Sequence, residues 1–534
     1  MSPKRDLPQV EPYSIQKLVE LLSLNTKSID AIVQSKSHIG YFQEYFHQLD
    51  AKTIVVEPDY VDRYYMEDFA GYYSRCFDNY DRLCCRLHFF DEEFGEDDFR
   101  KFILGTVPKI TQKPFDECYL GFVVTKPLPV TVIGRTCLRH YDTKNTSRQY
   151  PIVRQYPVHL FGQELLLKTL AFQEQDCAVG ACATSALWSL FQGTGMIFQH
   201  EIPSPFAITK MAGSVIADAS LRLMPNNGLT PRQIAGAIRG VGLEANAVNL
   251  FQPSFHEFLL TSNTYSYLMA KIPVILGVIL VDLSGGTPKI IGKHAVTVTG
   301  FRLDNGPTTC RVMQTGFSLR ASRINKIYVH DDQVGPFARM VLGNHLILPF
   351  QNRQEQFPSL STSWPGRAGV VGNVVAVPDV LIIPLYHKIR ISFEKIIACP
   401  IHFNELLSNA IAAKVLKISA PIEWDIYLTK VTDFKQRIRA NFELPEEERS
   451  ELLLTSMPLY MWTASIYSGD KLLLELLFDA TDVDFRSSFL RAVSHDPQFV
   501  SFLGPVCARI YANIQNERQF APITKIIRYF ADRI

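Results

Sequence analysis

Apolar residues recur at helical spacing over residues 14–47, at Leu18, Leu21, Leu22, Ile29, Ile32 and Val33, and predict helices there. Thr53-Ile54-Val55-Val56 predicts a strand and residues 63–77 an aromatic-rich helix. Two strands follow, Tyr119 to Val124 and Val130 to Ile133, punctuated by Pro127 and Pro129. Residues 157–172 read as a strand pair. Beyond a loop, a helix from about Ala181 turns Leu187, Trp188 and Leu190 toward a core. Thr230-Pro231 supplies an N-cap and an N1 proline for a helix ending at Gly240, and a third helix covers 254–270. The stretch 273–350 is strand-rich. Gln351 to Arg367, polar and proline-containing, reads as an exposed excursion or linker. Strands at Val370 to Val377 and Val380 to Ile383 precede largely helical spacing over 386–460. A hairpin from Leu459 to Leu477, turning at Ser468-Gly469-Asp470, leads into a terminal helical stretch.

This pattern predicts an α+β fold in three parts: an N-terminal α+β accessory region (1–155), a central module (156–395), and a mainly helical C-terminal accessory region (396–534). A length of 534 residues accommodates them at about 150 residues per domain. Lys and Arg number 54 against 53 Asp and Glu, a net charge of +1, so no nucleic-acid-binding field is expected. No apolar run follows the N-terminus that could act as a secretion signal. The most apolar stretch, Ile272 to Val281, is about half the ~20 residues that a membrane span needs. A cytoplasmic protein without a membrane partner is therefore expected. The ten cysteines lack the spacing of a disulfide framework, which fits a reducing compartment. Cys84-Cys85 has no second CxxC or histidine pair nearby, and no metal or cofactor is expected.

The chemistry concentrates in Gln173-Glu174-Gln175-Asp176-Cys177-Ala178-Val179-Gly180-Ala181-Cys182, a small-residue loop that delivers Cys182 to a helix start. There the free backbone N–H groups and the positive end of the helix dipole favour a thiolate, the nucleophilic form. Cys177 is the rival nucleophile, though Gly180 would weaken a helix begun there. A cysteine nucleophile needs a base, and Lys293-His294-Ala295-Val296-Thr297-Val298 is an alternating strand with His294 at its mouth. The base needs a group to orient it, and the strand Ile327 to His330 ends in Asp331-Asp332. Successive strand residues face opposite ways, so only one of the two carboxylates is expected to do this. Gln175 is a candidate donor to a developing oxyanion beside the Cys182 N–H.

In order along the chain, Gln175, Gly180-Ala181-Cys182, His294-Ala295-Val296 through Gly300-Phe301, and Asp331 or Asp332 resemble the papain-like cysteine peptidases. The pattern is most similar to their bacterial cytosolic branch and to double-glycine-leader peptidases, in which the third member is Asp. It covers about residues 175–340. Ala183 stands where the family has Trp, Asp-Gln-Val-Gly replaces its NSWG turn, and the gap from Gln175 to Cys182 is one residue longer than in papain, so the resemblance implies either a bulged loop or Gln173 or another donor in the place of Gln175. The resemblance implies a helical part carrying the cysteine, an antiparallel sheet carrying His and Asp, and hydrolysis of a protein or peptide amide bond. Isopeptide cleavage, removal of a ubiquitin-like modifier or acyl transfer would use the same residues. The third alternative is an inactive scaffold that binds partner proteins through the flanking regions.

Overall fold

The computed structural model describes residues 9–532 apart from 25, 27–28, 145, 177, 215–227, 253–255, 307–316, 365–372, 483–487 and 514–522. The fold is α+β, and the chain divides into two compact units. The first comprises Met1–Pro253, Lys271–Phe301 and Lys326–Pro384; the second comprises Ser254–Ala270, Arg302–Asn325 and Leu385–Ile534.

The first unit opens with an antiparallel five-stranded sheet in the order Val10–Pro12, Thr53–Tyr60, Cys84–Phe90, Tyr119–Thr125, Ile133–Leu138. Every residue of Cys84–Phe90 and Tyr119–Thr125 is buried, which is why both read as continuous apolar runs rather than alternating ones. Cys84 and Cys85 are buried free thiols in this sheet. The last strand begins at Ile133 rather than Val130, whose φ of 68° and exposed side chain place it in the preceding turn. The helical spacing of the first fifty residues resolves into Ile15–Leu24, Asp30–Gln34 and Ser37–Gln48, which bury Leu18, Leu21 and Leu22 and then Phe42, Tyr45 and Phe46.

The strand-rich stretch of this unit closes on itself. Val274–Asp282 pairs on one edge with Lys289–Leu303 and on the other with Val374–Leu385. The order then runs from Lys289–Leu303 through Ile324–Asp331, Gly335–Phe350 and Arg353–Ser361 back to Val374–Leu385. Closing the ring gives each of its six strands two neighbours, while Glu244–Asn249 pairs with Val374–Leu385 and Arg148–Gln149 with Lys289–Leu303 outside it. The helix Cys182–Phe198 carries the buried Leu187, Trp188, Leu190 and Phe191 into the same hydrophobic cluster as Ile275, Ala295 and Ile382 of the ring.

The segment expected as a linker, Gln351 to Arg367, is largely a strand hairpin where it is described; its last three residues lie outside the described residues. Gln351 and Asn352 form a two-residue turn with φ of 45° and 65°, and Arg353–Ser361 pairs back along Gly335–Phe350. Positive φ at both turn residues matches the twist of a tight hairpin. Its polar composition concealed the strand, because Arg353, Gln354, Glu355 and Gln356 enter the ladder through their backbone.

The second unit holds an antiparallel sheet, Ile422–Lys430, Tyr460–Ser468, Lys471–Asp479 and Phe489–Ser494, with the helices Ala398–Ala412, Val431–Ala440, Glu446–Leu454, Pro497–Asn513 and Thr524–Ala531. Strand Ile422–Lys430 interrupts the helical run expected over 386–460. Its buried Glu423 and Asp425 obscured the apolar pattern; Arg320 reaches both, at 3.3 and 2.9 Å, and Arg323 reaches Glu423 at 2.8 Å. The expected hairpin forms as Tyr460–Ser468 and Lys471–Asp479, with Gly469 in the turn at φ 62°. Among the described residues, no helix is long and apolar enough to cross a membrane.

Candidate active site

Cys182 is the first residue of its helix, behind Ala181 in extended conformation. The Ala181 N–H donates to Thr184 Oγ1 at 3.1 Å; alanine offers no side-chain acceptor, so the first-turn N–H groups, that of Cys182 included, have no side-chain cap from it. The approach loop is pinned from several directions. Asp176 Oδ1 accepts from the N–H groups of Ala178 and Val179 at 2.8 and 3.2 Å and from the Tyr73 hydroxyl at 2.5 Å. Thr209 Oγ1 donates to the Val179 carbonyl at 2.6 Å. Cys182 itself is a half-buried free thiol, whereas Cys177 lies outside the described residues.

His294 stands on the strand Lys289–Leu303, opposite Val278. Thr297, on the same strand, donates to the Ala186 carbonyl at 2.5 Å and so ties the histidine strand to the cysteine helix. The imidazole is buried, and its Nε2 donates to Asp331 Oδ1 at 2.9 Å. Nδ1 is buried and has no hydrogen-bond partner among the described residues. Cys182 is near enough to this ring to favour its charged form. Burial works against a charged imidazole, but Asp331, its hydrogen bond, Cys182 and Asp332 together raise the pKa well above the usual 6.5.

Asp331 is the last residue of its strand. Oδ1 also accepts from the Gln333 N–H at 3.0 Å, closing an Asx turn, and Oδ2 accepts from the Trp364 indole N–H at 2.7 Å. Burial would raise this carboxyl, yet the His294 charge and the three hydrogen bonds hold it below its usual range. Asp332 lies in the turn, and its Oδ1 is 3.8 Å from His294 Nε2, while Oδ2 is buried without a partner. Burial pushes this carboxyl up to about 7, opposed by His294 and reinforced by Asp331. Both carboxylates thus converge on the imidazole, because the strand stops at Asp331 and alternation no longer governs its neighbour. His330 faces away, packed between Phe172 and Phe337.

Gln175 lies on the approach loop, but its Nε2 donates to the Gly180 carbonyl at 3.4 Å, a long and weak bond. Gln173 is buried. His294, Asp331 and Asp332 offer ligand atoms within 4.8 Å of one another, but a cation would have to break the bond between His294 Nε2 and Asp331 Oδ1.

Trp364 escaped the sequence reading. Its buried ring meets His294 edge-on, with centroids 6.4 Å apart and planes at 89°. No family model and no curated protein sequence matches this chain.

Proposed function

We propose that the first unit is a papain-like cysteine hydrolase that cleaves a protein or peptide amide bond through an acyl-enzyme on Cys182. The observation that carries this is His294, bound through Nε2 to Asp331, with a buried Nδ1 that has no hydrogen-bond partner among the described residues, and with Cys182, at a helix N-terminus, near enough to favour the charged ring. The same nitrogen would take the Cys182 proton as sulfur attacks the carbonyl carbon, then return it to the leaving amine. Water, deprotonated by His294, would then break the thioester and release the acid. Asp331 fixes the imidazole and stabilises its charged form. The Cys182 N–H would bind the oxyanion, joined by the Gln175 amide once it exchanges Gly180 for the substrate oxygen.

An electrophilic thiol probe and a peptide library together test this reading. Labelling of Cys182 at neutral pH, and hydrolysis abolished by both Cys182→Ala and His294→Ala, are expected. Labelling that persists in Cys182→Ala points to Cys177 instead, and absence of labelling in the unmodified chain points to a scaffold.

A further inference from the structure

We propose that the segment Lys36–Tyr41, at the start of the N-terminal helix Ser37–Gln48, is a positioning element for the turn that carries Asp331 and Asp332, with His38 as its central contact; this rests on the hydrolase reading above. Beyond Asp331 the strand has ended, and its turn exposes backbone carbonyls with no partner in the ladder. The helix meets two of them and one carbonyl at the start of the following strand. Ser37 Oγ donates to the Gln333 carbonyl at 2.5 Å, His38 Nε2 to the Asp332 carbonyl at 2.8 Å, and the Tyr41 hydroxyl to the Pro336 carbonyl at 2.6 Å. Gly335 lacks a side chain where a Cβ would strike the Tyr41 ring, which lets helix and turn approach this closely.

A carbonyl only accepts, so His38 must carry its proton on Nε2. Burial lowers the pKa of His38, with Glu174 opposing. The same segment also holds the nucleophile's loop. Lys36 forms an ion pair with Glu174 and donates to the Val130 carbonyl at 2.7 Å, while Glu174 Oε2 accepts from the Ile133 N–H at 3.1 Å. Glu174 directly precedes Gln175 and Asp176 on the way to Cys182. One short stretch of the N-terminal region therefore braces both loops whose separation sets the cysteine–imidazole–carboxylate geometry. A misplacement of about 1 Å in such a constellation costs about 10²-fold in rate.

The test uses the full chain with His38→Ala and His38→Gln, the latter keeping an amide donor at similar reach. Iodoacetamide alkylation of Cys182, followed by peptide mass spectrometry at pH 6 and pH 9.5, reads the thiolate–imidazolium pair that Asp331 supports. His38→Ala is expected to slow alkylation about tenfold at pH 6 and less than about twofold at pH 9.5, where thiols ionise unaided, with His38→Gln restoring the pH 6 rate. Amide exchange of the 328–336 peptide should rise in His38→Ala and return in His38→Gln. Unchanged exchange there, or alkylation altered equally at both pH values, overturns the positioning role. A wild-type Cys182 no more reactive at pH 6 than free cysteine sinks the hydrolase reading instead, and the exchange result then decides the positioning role alone.

Discussion

Trp364 and His294 meet at right angles, their ring centroids 6.4 Å apart, and both donate to one carboxylate, that of Asp331. The indole N–H occupies Oδ2 and the imidazole Oδ1, so the tryptophan fixes the plane in which the carboxylate can receive the histidine. Hydrogen bonds to charged groups contribute about 1.5–3 kcal/mol. Trp364→Phe keeps most of the ring and loses this bond. We expect kcat to fall about tenfold or more with KM nearly unchanged. Steady-state kinetics on a cleaved peptide checks this, and a change confined to KM would count against it.

The two neighbouring carboxylates should separate cleanly. Asp331→Asn puts an amide where His294 needs an anion, and a loss of about 10³–10⁴-fold in kcat is expected. Asp332→Asn, which leaves the His294–Asp331 bond in place, should cost far less at pH 6. Equal losses in the two variants would show that the pair works as a unit.

Asp332 also sets a pH dependence. Its carboxyl is raised to about 7 from an ordinary 3.8, so the stability it contributes is greatest in acid and is lost as pH rises from the unfolded value through 7. The raised His294 contributes stability fully below 6.5 and loses it as pH climbs through its higher folded value. Ionised Asp332 supports the imidazolium, so Asp332→Asn should move the alkaline limb of kcat/KM down by about one unit. The same variant should melt higher than the parent at pH 8 but not at pH 4. Scanning calorimetry and a pH–rate profile read the two effects separately.

Gln175 gives a further test. If its amide leaves the Gly180 carbonyl for the oxyanion, Gln175→Ala should lower kcat about 10²-fold, the order of magnitude lost with one oxyanion donor. Cys182 alkylation, which forms no oxyanion, should stay as in the parent. A parallel fall in alkylation would assign Gln175 to loop support.

What was legible in the sequence was local. A small-residue loop opening a helix at Cys182 and an alternating strand entered at His294 each carry their signal within a dozen residues. The choice between Asp331 and Asp332 was not legible, because the alternation rule depends on where the strand stops. Trp364 was hidden behind a polar hairpin whose pairing is made by the main chain. The contacts of His38 and Tyr41 join positions almost three hundred residues apart, and helical periodicity marks only which face is apolar. In the second unit, Glu423 and Asp425 show the same limit: carboxylates buried against Arg320 read as surface residues until the arginine is seen beside them.

The closed ring of strands has a mechanical corollary. His294 rides on a stave with neighbours along both sides, so its backbone cannot peel outward from a rim as an outermost strand can. Amides from Ala295 to Val298 should consequently be among the last to exchange with deuterated solvent. The imidazole then acts as the fixed anvil of the site.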